Sequence, residues 1–102
     1  MYRQGDVLLV PVAGIPQDAK PVARDGGLVV LAYGEATGHH HSFGGAGVEL
    51  LEAPSGRFLR VTVATEPLAH QEHTAIPVAP GEYSVVIQRE YDDVEEWRRV
   101  AD

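Results

Sequence analysis

The chain has no cysteine. Disulfides, thiolate zinc sites, iron–sulfur clusters and cysteine nucleophiles are therefore excluded, and any metal must be held by imidazole and carboxylate alone. No stretch reaches the roughly 18 apolar residues of a transmembrane helix, so none is expected. Met1 to Asp6 places an acid ahead of the first apolar run, which is not the layout of a signal peptide. Positive charge is scarce: 8 Lys and Arg stand against 15 Asp and Glu, for a net charge of −7. Counted by halves, residues 1–51 carry three basic and five acidic side chains (−2), and residues 52–102 carry five and ten (−5). With no basic stripe to offset this, a phosphate backbone is repelled, and nucleic acid is not expected as a partner. The Gly44 to Gly47 stretch lacks the Lys-Ser/Thr ending and following helix of a phosphate loop. Neither an internal repeat nor a βαβ alternation is visible. The expectation is one soluble, cytoplasmic domain over residues 1–102 with no membrane partner, and 44% apolar residues suffice for a packed core.

What is present reads as β structure. Asp6 to Val12 is a short, valine-rich apolar run of strand length, with Pro11 marking an edge or bulge. Residues 13–27 hold Gly14, Pro16, Pro21, Gly26 and Gly27 and read as a loop. Leu28 to Tyr33 is a second strand, and Gly44, Gly45 and Gly47 then permit a tight reversal with φ > 0 into Val48 to Glu52. Pro54-Ser55-Gly56 is turn chemistry. Arg57 to Thr65 alternates, with Leu59, Val61 and Val63 on one face. Glu66-Pro67 reads as a break before a short extension, and Ala75 to Gly81 as a connection. Glu82 to Tyr91 alternates again, with Tyr83, Val85 and Ile87 inward. The tail, with Trp97 as a cap on the core, fits a strand better than a helix of marginal length. Six to seven short strands punctuated by Gly and Pro predict an all-β fold, a small antiparallel β-barrel or sandwich.

All five histidines fall into two clusters: His39-His40-His41 in a glycine-rich segment, and His70-Gln71-Glu72-His73 about thirty residues later. On an extended chain, residues i and i+2 share a face. His39 and His41 can therefore reach one ion while His40 points away. A turn at 70–73 brings His70 and His73 together and leaves Glu72 as a catalytic base or a ligand. Extended backbone instead pairs His70 with Glu72. The ligand set predicted is His39, His41 and His73 with either His70 or Glu72, around a divalent transition metal. Zinc, iron, nickel and manganese all suit imidazole and carboxylate donors, and an incomplete protein shell leaves a position for water or substrate. The plain alternative is a hydrated surface loop whose imidazoles are unrelated. Glu35 offers a partner for a histidine tautomer, Thr37-Gly38 reads as a turn, and Arg89 to Tyr91 as an ordinary surface stretch.

The spacing Gly34, four residues, then His39-x-His41 resembles the first half of the metal motif of the cupins. That resemblance implies a small β-barrel whose site uses H-x-H, a glutamate and a later histidine. The chain departs from the pattern after His41: the first acid is Glu49, and Pro54-Ser55-Gly56 is followed directly by Arg57, Phe58 and Leu59, with His70 and His73 farther on.

Three functions compete on these residues. One is a mononuclear metal-binding β-domain, whether or not it acts as an enzyme on a small molecule. The second is a non-enzymatic interaction module with a protein partner, its histidine loops a surface feature. The third is metal-free acid–base catalysis, as in a small phosphoesterase, which needs a cationic anion site from Arg57, Arg60 or Arg89. Short apolar strands with proline-marked edges are also compatible with a homodimer.

Overall fold

The computed structural model describes residues 1–34, 39–63, 66–71 and 73–88. Among these residues the strands are β1 (Tyr2–Gln4), β2 (Val7–Pro11), β3 (Lys20–Pro21), β4 (Val29–Tyr33), β5 (His40–Phe43), β6 (Val48–Ala53), β7 (Gly56–Val61), β8 (Glu66–Leu68), β9 (Ile76–Val78) and β10 (Gly81–Ile87). The class is all-β, as expected, with more and shorter strands than predicted.

Six strands form one antiparallel sheet in the order β1-β2-β10-β7-β6-β3. Two ribbons, β4-β5 and β8-β9, complete the fold. Among the described residues the six-stranded sheet ends at β1 and β3 without closing on itself, so the barrel alternative is corrected to an open sheet accompanied by two ribbons. The ribbons are tied to each other by paired backbone bonds, Ser42 N to Ala69 O at 3.0 Å and Ala69 N to Ser42 O at 2.9 Å. Their apolar residues join those of the sheet in one core. Val7 and Leu9 (β2), Val48 and Leu50 (β6), Leu59 and Val61 (β7), and Tyr83 and Val85 (β10) meet Val29, Leu31, Phe43, Leu68 and Val78 of the ribbons. Alternation explains the selection: Leu50, Leu59 and Tyr83 are direct cross-strand neighbours on one face. Leu51 and Phe58, likewise opposite each other, are buried on the reverse face.

Several local expectations are revised. Pro11 ends a strand that lies inside the sheet. Val12 N donates to Glu82 O of β10 at 3.0 Å, so the neighbouring Pro11 nitrogen faces the other way, where β1 has already ended at Tyr2↔Leu9. The missing N–H therefore costs no ladder bond. Glu66-Pro67 is not a break, and Ala75 to Gly81 is more than a connection, because β8 and β9 pair with Pro67 opposite Pro77. Stacking the two prolines at one rung confines the missing donors to that rung. Val63 is 44% exposed, outside the inward face assigned to it. The tail from Arg89 onward, including Trp97, lies outside the described residues.

The glycines of the reversal between β5 and β6 act differently from expectation. Among the described residues the glycines with positive φ are Gly5, Gly26, Gly27, Gly56 and Gly81, and none falls within 44–47. Gly47 is instead a matter of space: a Cβ there would stand 2.5 Å from Val63 Cγ2 and 3.0 Å from its Cβ. Gly47→Ala is expected to cost about 1 kcal/mol, the low end of overpacking penalties, because Val63 is partly free to move. In a Val63→Ala background that cost should largely vanish. Urea unfolding of the four proteins of this cycle measures the coupling.

Candidate functional site: an imidazole cluster over the first turn

The β4-β5 hairpin carries the first histidine group. Its register runs from Val29↔Phe43 to Tyr33↔His40, with an irregularity between Val30 and Ala32. Gly34 N closes the hairpin on His39 O at 2.8 Å. Because β5 alternates, His41 and Phe43 face inward, at 3% and 0% exposure. His40 turns away with Ser42: its Nδ1 is 2.8 Å from Ser42 Oγ, and its backbone N donates to Gln71 Oε1 at 2.8 Å. His40 thus points away from His41, as the alternation predicts.

The bridge between Ser42 and Ala69 fixes the second histidine group beside the first. His70 follows Ala69 directly, and the chain then bends through Gln71 and His73. Four rings converge as a result. Centroid separations are 5.7 Å for His39–His70, 4.3 Å for His41–His70, 4.6 Å for His70–His73 and 5.8 Å for His41–His73. The structure thus brings together His39, His41, His70 and His73. Glu72, the predicted base or ligand, lies outside the described residues, as do Glu35 and Thr37.

The first turn of the chain forms the floor of this cluster, and sequence reasoning missed it. Gln4↔Val7 closes β1 on β2 through the two-residue loop Gly5-Asp6. Gly5 has φ of 58°, the left-handed value that such tight hairpins demand and that glycine adopts freely. A Cβ on Gly5 would lie 2.8 Å from His73 Nε2 and 3.2 Å from His41 Cε1. The imidazoles therefore rest directly on this backbone. Gly5→Ala is expected to destabilise by about 1–2 kcal/mol through the left-handed strain alone. It should also push His73, an exposed ring, off the cluster, and a denaturation curve with His73 NMR shifts reads both.

Gln4 and Asp6 flank that glycine. Gln4 is 3% exposed, and its Nε2 donates to Leu68 O at 2.8 Å and Thr74 O at 3.0 Å. Its Oε1 stands 2.8 Å from His41 Nδ1. Carbonyl oxygens only accept, so both amide hydrogens are committed and Oε1 must be the atom facing the ring. His41 Nδ1 therefore carries a proton and donates it to Gln4. In the neutral ring this leaves Nε2 as an acceptor, 3.4 Å from Asp6 Oδ1. The Asp6 backbone is held in turn, since Gln88 N donates to Asp6 O at 2.7 Å. No local pattern in the sequence marks Gln4 or Asp6, because their partners lie 37 to 70 residues away for Gln4 and in another sheet for Asp6.

Other candidate groups are engaged elsewhere. Glu49, the first acid after the histidine pair, binds Arg60 at 2.8 Å, and Arg60 also reaches Glu82 at 3.2 Å. Arg57 donates to Leu31 O at 2.8 Å. A cleft of about 400 Å³ lies apart from the imidazoles, lined by Val22, Arg24, Glu49, Leu50 and Arg60 among others. Among the described residues no group of three or more His, Asp or Glu side chains stands ready to hold a metal ion as placed. Among those residues, too, no helix is long and apolar enough to cross a membrane.

Fold and site together define a small all-β domain in which two histidine segments are packed over the first hairpin turn. The chain belongs to the family described as Domain of unknown function (DUF8820), which residues 3–88 match. That span contains Gln4, Asp6 and all five histidines. No curated protein and no solved structure matches the chain.

Proposed function

We propose that the protein binds a divalent transition metal at the cluster of His39, His41, His70 and His73. The observation that carries this reading is the convergence of four rings from two distant segments: His41, His70 and His73 stand 4.3 to 5.8 Å apart centre to centre, and His39 adjoins His70 at 5.7 Å. A ring centre sits about 3.2 Å from a metal bound at about 2.0–2.1 Å, so two imidazoles on one tetrahedral ion have centres about 5 Å apart. The rings already stand near that spacing. With His41 held by Gln4, bringing the nitrogens to one point means turning the other three rings about χ2, a broad and soft torsion for histidine.

Zinc, iron(II), nickel and manganese suit these donors. A set of imidazoles with one open position is the arrangement that polarises a bound small molecule or water, and Glu72 is the side chain adjacent in sequence that would serve as base. The resemblance of Gly34 to His41 to the cupin metal motif points the same way, as does the cysteine-free composition, which leaves histidine the strongest available ligand. Cytoplasmic location belongs to the same reading, and cell fractionation tests it.

Added Zn²⁺ or Ni²⁺ is expected to raise stability by about 2.7 kcal/mol at a hundredfold excess over Kd. The effect should weaken as pH falls, because only neutral imidazole ligates. His41→Ala should abolish it. A melting temperature indifferent to metal in the unmodified protein would sink the proposal and favour the interaction-module reading.

A further inference from the structure

We infer that Asp6 is the carboxylate ligand of this centre and that Gln4 is the positioning residue that aims His41 at it. The inference rests on the metal reading above and adds to it two residues that the histidine spacing does not reveal.

The chemistry begins at Gln4. Its two amide hydrogens are held by Leu68 O and Thr74 O, and its Oε1 receives the Nδ1 proton of His41. The side chain therefore selects a tautomer: when the ring is neutral, His41 presents Nε2 as its lone-pair nitrogen. A hydrogen bond from the non-ligating ring nitrogen is the usual way a metal-binding histidine is oriented and its basicity raised. Gln4 makes that bond from a buried position, and the same amide pins the segment from Leu68 to Thr74 that carries His70 and His73.

The lone pair so fixed faces a carboxylate. His41 Nε2 and Asp6 Oδ1 are 3.4 Å apart. With the ring neutral both are negative ends of their groups, and a cation bound by the pair turns that opposition into attraction. With the ring protonated the same pair is an ion pair, so the cation takes the place of the Nε2 proton. Two donors each about 2.1 Å from one tetrahedral ion stand about 3.4 Å apart, so the pair matches one edge of such a site. Asp6 sits at this spot by construction. The tight turn at Gly5 aims it, the bond from Gln88 N to Asp6 O at 2.7 Å holds its backbone, and its side chain is about two-thirds covered, at 30% exposure. Imidazoles with one carboxylate form a set for a borderline divalent ion such as Zn²⁺, Fe²⁺ or Co²⁺ rather than for Cu⁺.

Cobalt titration with visible absorption, on the full chain and on Asp6→Asn, tests the ligand. The unmodified protein is expected to take up one Co²⁺, and Asp6→Asn to bind at least tenfold more weakly with an altered d–d spectrum. Asp6→Ser provides a second variant of similar turn propensity. If the unmodified protein binds one Co²⁺ and both variants lose less than tenfold, Asp6 is not a ligand and the inference fails while metal binding stands. If the unmodified protein takes up no Co²⁺, the metal reading itself fails.

Gln4 is tested without metal. Nitrogen-15 NMR of the histidine rings at about pH 9, where imidazole is neutral, should find the His41 proton on Nδ1. In Gln4→Met it should move largely to Nε2, a change that loss of packing alone does not produce. A proton on Nε2 in the unmodified protein overturns the assignment whether or not the variant folds.

Discussion

Phe43→Ala is expected to destabilise the protein by about 3–5 kcal/mol, the range for deleting a fully buried aromatic side chain. Phe43 has 0% exposure and sits among Leu9, Leu31, Leu59, Leu68 and Val78 in the shared core. It is the largest side chain that the β5 strand commits to that core. Against a total of about 5–15 kcal/mol for a domain of this kind, the loss leaves the fold near its threshold. The site should suffer with it. Phe43 and His41 lie on the same inward face of β5, and Ser42 between them makes the backbone bridge to Ala69. Loosening Phe43 lets this strand lift from the β8-β9 ribbon and separates the two histidine groups. Urea unfolding gives the stability change, and Val86→Ala, at a 37% exposed position, should move it by less than about 0.5 kcal/mol.

Gln4→Leu is expected to cost about 2–4 kcal/mol, although it replaces one side chain by another of similar size and greater hydrophobicity. The reason is what it leaves behind. Leu68 O and Thr74 O lose a donor and His41 Nδ1 loses an acceptor. Each buried polar group stranded in this way costs about 1–3 kcal/mol. Thr74 is exposed, so its carbonyl recovers water, which keeps the sum below the full total. A hydrophobic-burial argument alone gives the opposite sign, since leucine should gain from a site that is 3% exposed. Equilibrium unfolding of the single variant therefore separates the two accounts by sign as well as by size.

The strands that could be read from sequence are those whose pattern is local. The valine-rich run that became β2, the apolar β4, and the alternating β7 and β10 each show their period within a few residues. β8 and β9 were missed because proline reads as a breaker. Only a partner with its own proline at the same rung, Pro67 opposite Pro77, makes a paired strand tolerable there. Open sheet and closed barrel cannot be told apart by periodicity, because closure depends on whether the edge strands β1 and β3 find partners. The Gly44 to Gly47 reversal misled for a related reason: Gly47 answers to Val63, sixteen positions on, and not to its own φ.

The site divides along the same line. Clustering of five histidines into two windows is a local signal, and the condition for their meeting, a bend at 70–73, could be written down in advance. Gln4 and Asp6 carried no such signal. A glutamine in a short edge strand and an aspartate in a tight turn are ordinary residues, and their importance comes from the two histidine segments folding over them. Glu49, the first acid after the histidine pair, is engaged by Arg60. The carboxylate that the fold sets beside His41 comes from the first turn of the chain, at Asp6.

The central claim is that the four imidazoles hold a metal. The most direct test is elemental analysis of protein purified without chelator and without contact with an affinity resin, alongside the His39→Ala/His41→Ala double variant. The account predicts close to one transition-metal ion per chain in the unmodified protein and almost none in the variant. Unmodified protein that folds, yet carries no metal and takes up none on dialysis against Zn²⁺, would contradict it.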